Sequence, residues 1–254
     1  MIAYTFITYE IQNRVAILTL NRPEKLNALN TPILHEIHAA IDEAEVDDAV
    51  GVVLIRGAGR AFSAGADLNE IGPLKNAAQR RYVRLDYANK NRIASCQKPV
   101  VAAIHGYAFG GGMEMALSCD VRLVADNALF ALPEITLGSI PGSSGLQRLP
   151  QVVGLGIAKE WALMGRRIDA QEAHLRGLAN HVYPLDQLMP QALEFCQKLA
   201  NNSPLALSLA KVALCPAPPP TDGLEGVYHT LASQACHSDP AYEKRTTRFQ
   251  DKKS

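Results

Sequence analysis

Two short apolar runs, each followed at once by a loop of small residues, constrain the fold more than any other feature of this chain. Residues 51–56 have the sequence GVVLIR, and residues 99–104 have the sequence PVVAAI. Runs of this length that are apolar at consecutive positions and rich in Val are typical of strands buried on both faces. A Gly- and Ala-rich stretch at 57–72 follows the first run, and a triple glycine at 110–112 follows the second. The pattern predicts an α/β fold with loops of small residues at the strand ends.

Strands and helices alternate up to about residue 150, and helices predominate after it. The predicted strands cover residues 4–9, 15–20, 51–56, 99–104, 121–125, 128–131 and 179–183. The predicted helices cover residues 31–48, 76–95, 113–118, 146–153, 157–164, 170–176, 185–201, 204–214 and 223–236. Thr31 as N-cap and Pro32 at the first helical position suit the start of the first helix.

Charge and composition exclude several classes of protein. Lys and Arg number 25 and Asp and Glu number 25, so the chain lacks the basic excess of a dedicated nucleic-acid binder, and we expect no nucleic-acid partner. No apolar run approaches the ~18 residues of a membrane span, and the N-terminus does not resemble a signal peptide. The five cysteines form no CxxC pair, which argues against a disulfide framework or a structural zinc site. We therefore expect a cytoplasmic protein with no metal.

The two small-residue loops are candidates for a site built from main-chain groups. Residues 62–67 follow one predicted strand, and residues 110–112 follow another and precede a helix. Small residues let a ligand approach the main chain, and N–H groups at a helix N-terminus favour negative charge. Two such loops that converge would form an oxyanion hole. The alternative is that both are tight turns between packed elements.

Two carboxylates in apolar surroundings are candidates for acid–base chemistry. Glu114 lies among Met and Ala residues in the first turn after the glycines, and Glu134 lies between Pro133 and Ile135. Burial raises the pKa of a carboxyl group toward the range that suits a general acid or base. The alternatives are a helix-start Glu114 stabilised by the helix dipole and a solvated loop residue at Glu134. Dinucleotide, Walker A, GxSxG and HExxH motifs are absent.

Four ordered segments resemble the enoyl-CoA hydratase/isomerase (crotonase) family. They are LNRP through NAL at 20–29, FSAGADL at 62–68, HGYAFGGGME at 105–114, and LPEITLG through QRL at 132–149. The resemblance implies a spiral of repeated β-β-α units with a helical C-terminal region. It implies a core at 1–195 that carries the active site and a C-terminal helical oligomerisation or capping region at 196–254. It also implies a homotrimer or a dimer of trimers.

The resemblance assigns roles to individual residues. Acyl-CoA thioesters are the implied substrates, with coenzyme A as part of the substrate and no separate cofactor. The main-chain N–H groups of Ala66 and Gly111 would stabilise a thioester enolate, Glu114 and Glu134 would be catalytic, and the Gly142 N–H would position a water molecule. The residues implied to bind substrate or coenzyme A are Lys25, Leu26, Ala28, Ala64, Gly65, Asp67 and Leu68.

Both glutamates together favour an enoyl-CoA hydratase of fatty-acid β-oxidation or a related acyl-CoA breakdown. The alternatives are a Δ3,Δ2-enoyl-CoA isomerase, a hydratase of a specialised dicarboxylic or aromatic-derived enoyl-CoA, and a non-catalytic acyl-CoA- or RNA-binding member. The sequence departs from the family pattern at three places. Asn69 replaces a family Lys that meets the CoA phosphate, residues 215–221 read CPAPPPT, and the closing helix around residues 238–245 is shortened and contains Pro240.

Overall fold

A largely parallel sheet lies at the centre of the computed structural model, which describes residues 4–72 and 76–214. Within these residues, the strands are β1 (Ile7–Gln12), β2 (Val15–Leu20), β3 (Val52–Gly57), β4 (Val100–Ile104), β5 (Tyr107–Phe109), β6 (Val121–Ala125), β7 (Leu129–Ala131), β8 (Ile168–Asp169) and β9 (His181–Tyr183). The central sheet has six of them in the order β1-β2-β3-β4-β6-β9. Strand β1 is antiparallel to β2, and the other neighbours are parallel. A second sheet joins β5 to β7 in parallel and β7 to β8 antiparallel.

Helices cover both faces of the central strands. The helices are α1 (Thr31–Val46), α2 (Leu68–Ile71), α3 (Asn76–Ser95), α4 (Gly111–Ser118), α5 (Gly145–Val153), α6 (Leu155–Met164), α7 (Ala170–Leu175), α8 (Leu185–Ala200) and α9 (Pro204–Leu214). In the part of the chain that the structure describes, two short 3-10 helices, Pro23–Lys25 and Pro133–Leu137, add to these. Alternate residues of β3 separate into two clusters: Val52 and Leu54 pack toward α8, whereas Val53 and Ile55 pack toward the side of α1, α3 and α4. This two-sided burial explains why the strand is apolar at consecutive positions.

The structure confirms the predicted α/β class and corrects several details. Strand β1 starts three residues later than predicted, and the short strands β5 and β8 were not predicted. The N-cap of α1 is Asn30, whose side chain accepts a hydrogen bond from Ile33 N at 3.0 Å, so the prediction of Thr31 as the cap was wrong. Asn is also a good N-cap, and its side chain satisfies an N–H group that would otherwise lack a partner.

The described residues include only the start of the predicted C-terminal region at 196–254. Helix α8 is continuous across that residue and buries Leu188, Ala192 and Cys196 against the sheet. The predicted helix at 223–236, the CPAPPPT segment and residues 238–245 lie outside the described residues, so the division stays a prediction. Among the helices that the structure describes, none combines the length and apolar character that a membrane span requires.

Candidate active site

Main-chain hydrogen bonds bring the loop after β3 against the chain after β4. Ser63 N donates to Tyr107 O at 2.9 Å, and Phe109 N donates to Ser63 O at 3.0 Å. Gly65 lies at this contact with a φ of +92°, and a Cβ there would approach Phe109 O to 2.6 Å. A side chain would therefore force the two segments apart, which explains the glycine. The two loops that the sequence singled out meet in the folded chain.

Two main-chain N–H groups without acceptors face each other across this contact. A Cβ on Gly65 would lie 3.2 Å from Gly111 N, and a Cβ on Gly111 would lie 3.6 Å from Ala66 N. Within the described part of the chain, neither Ala66 N nor Gly111 N donates a hydrogen bond. Gly111 is the first residue of α4, so the helix dipole adds to its positive potential. Unpartnered N–H groups that converge in this way are what an oxyanion hole requires.

Glu114 is held in place by the turn that precedes α5. It lies in the first turn of α4 and is 2% exposed. Its Oε1 accepts hydrogen bonds from Ser143 N at 2.8 Å and from Gly145 N at 2.9 Å. Ser144, between these donors, has a φ of +72°, which turns both N–H groups toward one oxygen. A Cβ on Gly145 would approach Glu114 Cγ to 2.8 Å, so this approach requires glycine.

Glu134 is placed by the second sheet. It lies in the 3-10 helix Pro133–Leu137, directly after β7. Within the described residues, its Oε2 is buried and has no hydrogen-bond partner. Its Oε1 lies beside Gly110, and a Cβ on that glycine would approach Oε1 to 2.8 Å. The φ of Gly110 is +50°. The alternative of a solvated loop carboxylate is therefore wrong, because the carboxyl group is turned into the protein.

Burial separates the two glutamates in proton affinity. Burial and the charge of Asp86 raise the pKa of Glu114 to about 6, although Lys90 and the two N–H groups oppose this rise. Burial, followed by the charge of Glu114, raises the pKa of Glu134 to about 8. Two close carboxyl groups share protons as a pair. Both shifts are upward and the larger one falls on Glu134, so the surroundings of the pair favour the protonated form of Glu134 more than that of Glu114.

A buried ion pair on α3 adjoins Glu114. Lys90 is fully buried, and its ammonium group donates to the carboxylate of Asp86 one turn earlier. The hydroxyl group of Ser143 also donates to Asp86. Because Ser143 N binds Glu114, the ion pair and this glutamate belong to one hydrogen-bonded chain.

One cavity of about 580 Å³ collects every residue that the sequence assigned to the site. The predicted residues on its wall are Lys25, Leu26, Ala28, Ala64, Gly65, Ala66, Asp67, Leu68, Gly111, Glu114, Glu134 and Gly142. The sequence analysis missed other residues of this wall, among them Asp86, Ser143 and Arg167, and it did not single out Tyr82 and Val83 within the region 71–85, where pocket residues were expected. The charged pattern of α3 gave no signal for the three that lie on this helix, since it is typical of a solvated helix. Within residues 4–72 and 76–214, no three His, Cys, Asp or Glu side chains are grouped as a metal site would require.

Asp67 and Asn69 lie at the start of α2 on the same wall. The Asp67 side chain pairs with Arg22 at 3.0 Å and accepts a hydrogen bond from Asn69 N at 3.1 Å. Its side chain thus caps α2 and ties the loop to the chain after β2, and its predicted contact with coenzyme A stays a prediction. Asn69 is exposed at the cavity, where the resemblance would place a Lys.

The fold brings two unpartnered N–H groups and two carboxyl groups to one cavity. This arrangement is typical of an enzyme that uses acid–base chemistry. The family model described as enoyl-CoA hydratase/isomerase matches residues 10–223. The chain belongs to the enoyl-CoA hydratase/isomerase family. This agrees with the four segments that the sequence analysis identified.

Individual proteins that are similar to this chain are named as hydratases of enoyl-CoA esters. The chain is 44% identical over 203 residues to a 2,3-dehydroadipyl-CoA hydratase of Escherichia coli, covering 80% of this chain and 79% of that protein. It is 41% identical over 209 residues to a short-chain-enoyl-CoA hydratase of Clostridium acetobutylicum, covering 82% of this chain and 80% of that protein. The crystal structure of an enoyl-CoA hydratase from Mycobacterium avium subsp. paratuberculosis is similar with a TM-score of 0.88 and 29% identity. That match covers 97% of this chain and 100% of the other.

Proposed function

We propose that the protein is an enoyl-CoA hydratase, which adds water across the 2,3 double bond of a 2-enoyl-CoA to give a 3-hydroxyacyl-CoA. The observation that carries this proposal is that two glutamates line one cavity wall: Glu114, which is buried, and Glu134, whose Oε2 is buried. Their burial favours a state in which one is charged and the other protonated at neutral pH. Hydration needs both states at once, since a base must activate water while an acid protonates carbon.

The reaction follows from the placement of these groups. The thioester carbonyl oxygen accepts hydrogen bonds from Ala66 N–H and Gly111 N–H, so the negative charge of the enolate is stabilised where it develops. The Glu114 carboxylate removes a proton from water, and the water oxygen forms a bond to C3. Glu134 then transfers its proton to C2. The cycle moves one proton onto Glu114 and one away from Glu134, so exchange with solvent restores the starting state.

Water and coenzyme A would be held by the flanking loops. Gly142 lies on the cavity wall, and within the described residues its N–H donates no hydrogen bond, so it can position the attacking water. Lys25, Leu26 and Ala28, together with the residues 64–68, would bind coenzyme A. Lys25 is exposed and supplies a positive charge for a phosphate. The neutral Asn69 supplies no charge there, and we propose no cofactor beyond the substrate itself.

The loss of the ultraviolet band of crotonyl-CoA tests the proposal. The wild-type protein should remove this band, and Glu134→Gln should lower kcat by about 10²–10⁴-fold because the carbon acid is lost. Glu114→Gln should lose activity to a similar degree. Glu10→Gln is the matched control, since Glu10 is exposed on β1 and should leave the rate unchanged. Turnover by Glu134→Gln near the wild-type rate would refute the assigned role.

Double-bond isomerisation is the first alternative. Moving a double bond between C3 and C2 requires one acid–base group, whereas this cavity holds two. The test compares a 3-enoyl-CoA with a 2-enoyl-CoA of equal length. A faster reaction of the 3-enoyl-CoA would replace hydration with isomerisation as the main activity.

A dicarboxylic enoyl-CoA is the second candidate substrate. The Escherichia coli relative is named for 2,3-dehydroadipyl-CoA, and Arg167 of this chain lies on the cavity wall with its guanidinium 5.7 Å from the Phe109 ring centroid. A guanidinium group binds carboxylates well. Arg167→Gln should raise KM for a dicarboxylic enoyl-CoA and leave KM for crotonyl-CoA unchanged. Equal effects on both substrates would remove this candidate.

We further propose a cytoplasmic homotrimer or dimer of trimers that acts in fatty-acid or related acyl-CoA breakdown. Helix α9 supports an assembly because it buries none of its residues and exposes Leu205, Leu209, Val212 and Leu214. Apolar residues grouped in this way are typical of a protein interface. Light scattering coupled to gel filtration measures the mass directly, and a monomer at micromolar concentration would refute the assembly.

A further inference from the structure

Helix α3 contains an ion pair, Asp86–Lys90, whose two side chains are buried. Lys90 is fully buried, and Asp86 is 5% exposed on the cavity wall. Charged side chains are almost never fully buried unless they are paired, and even a buried ion pair adds little to stability because both charges lose their hydration. The pair therefore calls for a functional explanation.

The contacts of Asp86 connect it with Glu114 and with the oxyanion hole. One oxygen accepts from Lys90, and the other accepts from the Ser143 hydroxyl group, whose own main-chain N–H binds Glu114 at 2.8 Å. The same Asp86 Oδ2 would lie 3.7 Å from a Cβ on Gly111, the residue with the free N–H. Asp86 thus adjoins both the turn that holds Glu114 and the oxyanion hole.

A lone carboxylate at this place would oppose catalysis. The enolate develops negative charge beside the Gly111 N–H, and a charged Asp86 would repel it. Lys90, which is fully buried and does not line the cavity, supplies the balancing charge.

We propose that Asp86 and Lys90 act together as a positioning pair for Glu114. Asp86 fixes, through Ser143, the turn whose N–H groups hold Glu114, and Lys90 neutralises Asp86 beside the oxyanion hole. The pair rests on the proposed function for its effect on turnover, but its effect on Glu114 exists whatever the reaction is. Neither residue touches the reacting atoms.

The charges around Glu114 determine the direction of the effect. Asp86 and Lys90 face it from α3, and Glu134 faces it from the 3-10 helix. Tyr82 lies near it on α3 and holds its proton, donating to Leu29 O, and Arg148 binds Ser143 O from α5. Removing the negative Asp86 should lower the pKa of Glu114, and removing the positive Lys90 should raise it. A pair that did not act on Glu114 would leave its pKa unchanged when either residue is replaced.

The experiment compares Asp86→Asn, Lys90→Met and the double variant with the wild-type protein. Carbon-13 NMR of labelled glutamate carboxyl groups, assigned with Glu114→Gln, gives the titration of Glu114 without any substrate. We expect opposite shifts in the single variants and a value near the wild type in the double variant, because both perturbations are then removed. The double variant should also recover the melting temperature that the single variants lose, so it keeps the test valid if these fold poorly.

Turnover of crotonyl-CoA provides the second measurement. Each single variant should lower kcat by about 10- to 100-fold with a smaller change in KM, since a shift of about 1 Å in a catalytic group costs about 10²-fold. Glu172→Gln, which breaks a surface ion pair with Arg166, is the matched control and should change neither the titration nor the rate. Single variants that leave the Glu114 titration unchanged, or shift it in the same direction, would overturn the proposal. An inactive wild-type protein would refute the hydratase function alone, since the titration would still be measurable.

Discussion

Replacing Gly110 by Ala should disable the site by displacing one carboxyl group. The backbone at Gly110 has a φ of +50° and a ψ of −123°, which a residue with a Cβ seldom adopts. The new Cβ would lie 2.8 Å from Glu134 Oε1, so the carboxyl group must retreat by roughly 0.7 Å to reach an ordinary contact. This movement is cheap for a flexible side chain, but it displaces the group that we propose protonates C2.

The expected result separates activity from stability. We expect kcat for crotonyl-CoA to fall by about 10- to 100-fold, since sub-ångström precision is lost at the reacting centre. Backbone strain should cost about 1–3 kcal/mol, which lowers Tm by roughly 3–10 °C in a chain of this size. Stopped-flow absorbance and differential scanning calorimetry measure the two effects.

A second glycine provides the control for this substitution. Gly156 lies inside α6, and a Cβ there would meet no atom within 4 Å. Gly156→Ala should therefore leave kcat unchanged and Tm equal or slightly higher, since Ala favours a helix. A Gly110→Ala protein that keeps half of the wild-type kcat and its full Tm would refute the reasoning about Glu134.

Three further predictions concern pH and the supporting loops. The rate of hydration should follow a bell-shaped pH profile with its maximum between about 6 and about 8, because Glu114 must lose its proton and Glu134 must keep its own; a rate still rising at pH 9 would contradict this. The raised pKa of Glu134 means that folding favours its protonated form, so its contribution to stability is complete below about pH 4.5 and is lost as the pH rises to about 8. Glu134→Gln should thus melt above the wild type at pH 8.5 and lose this advantage near pH 4.5, and parallel melting curves at both pH values would refute the shift. Asn27→Ala should cost about 1–3 kcal/mol in urea unfolding, since the buried amide of Asn27 binds Ala58 O and Ala61 O, and an unchanged midpoint would contradict it.

The sequence predicted the site better than its supporting contacts, for physical reasons. The small-residue loops and both glutamates could be found because glycines and buried carboxylates leave local patterns, and family motifs fixed their order. The Asp86–Lys90 pair could not be found, since a helix with Asp and Lys at i and i+4 has the same pattern on a surface as in a core. Its role depends on Ser143, which is 57 residues away in the chain.

The shortest strands and the N-cap of α1 could also not be predicted from the sequence. Strand β8 has two residues and β5 has three, which is too short for a periodic signal. The sequence could not distinguish Asn30 from Thr31 as the N-cap of α1, because both residue types suit that position. Only the hydrogen bond that the Asn30 side chain accepts from Ile33 N distinguishes them.

The separate supports of the two glutamates bear on how such a protein can change over generations. Glu114 belongs to α4, Glu134 belongs to the segment after β7, and the N–H groups at Ala66 and Gly111 belong to the backbone itself. A point mutation can exchange either acid for another side chain while the backbone donors persist, since no codon change removes a peptide N–H except one to proline. The N–H groups that we propose bind the enolate therefore persist through most substitutions, and new proton-transfer chemistry can be selected around them one residue at a time.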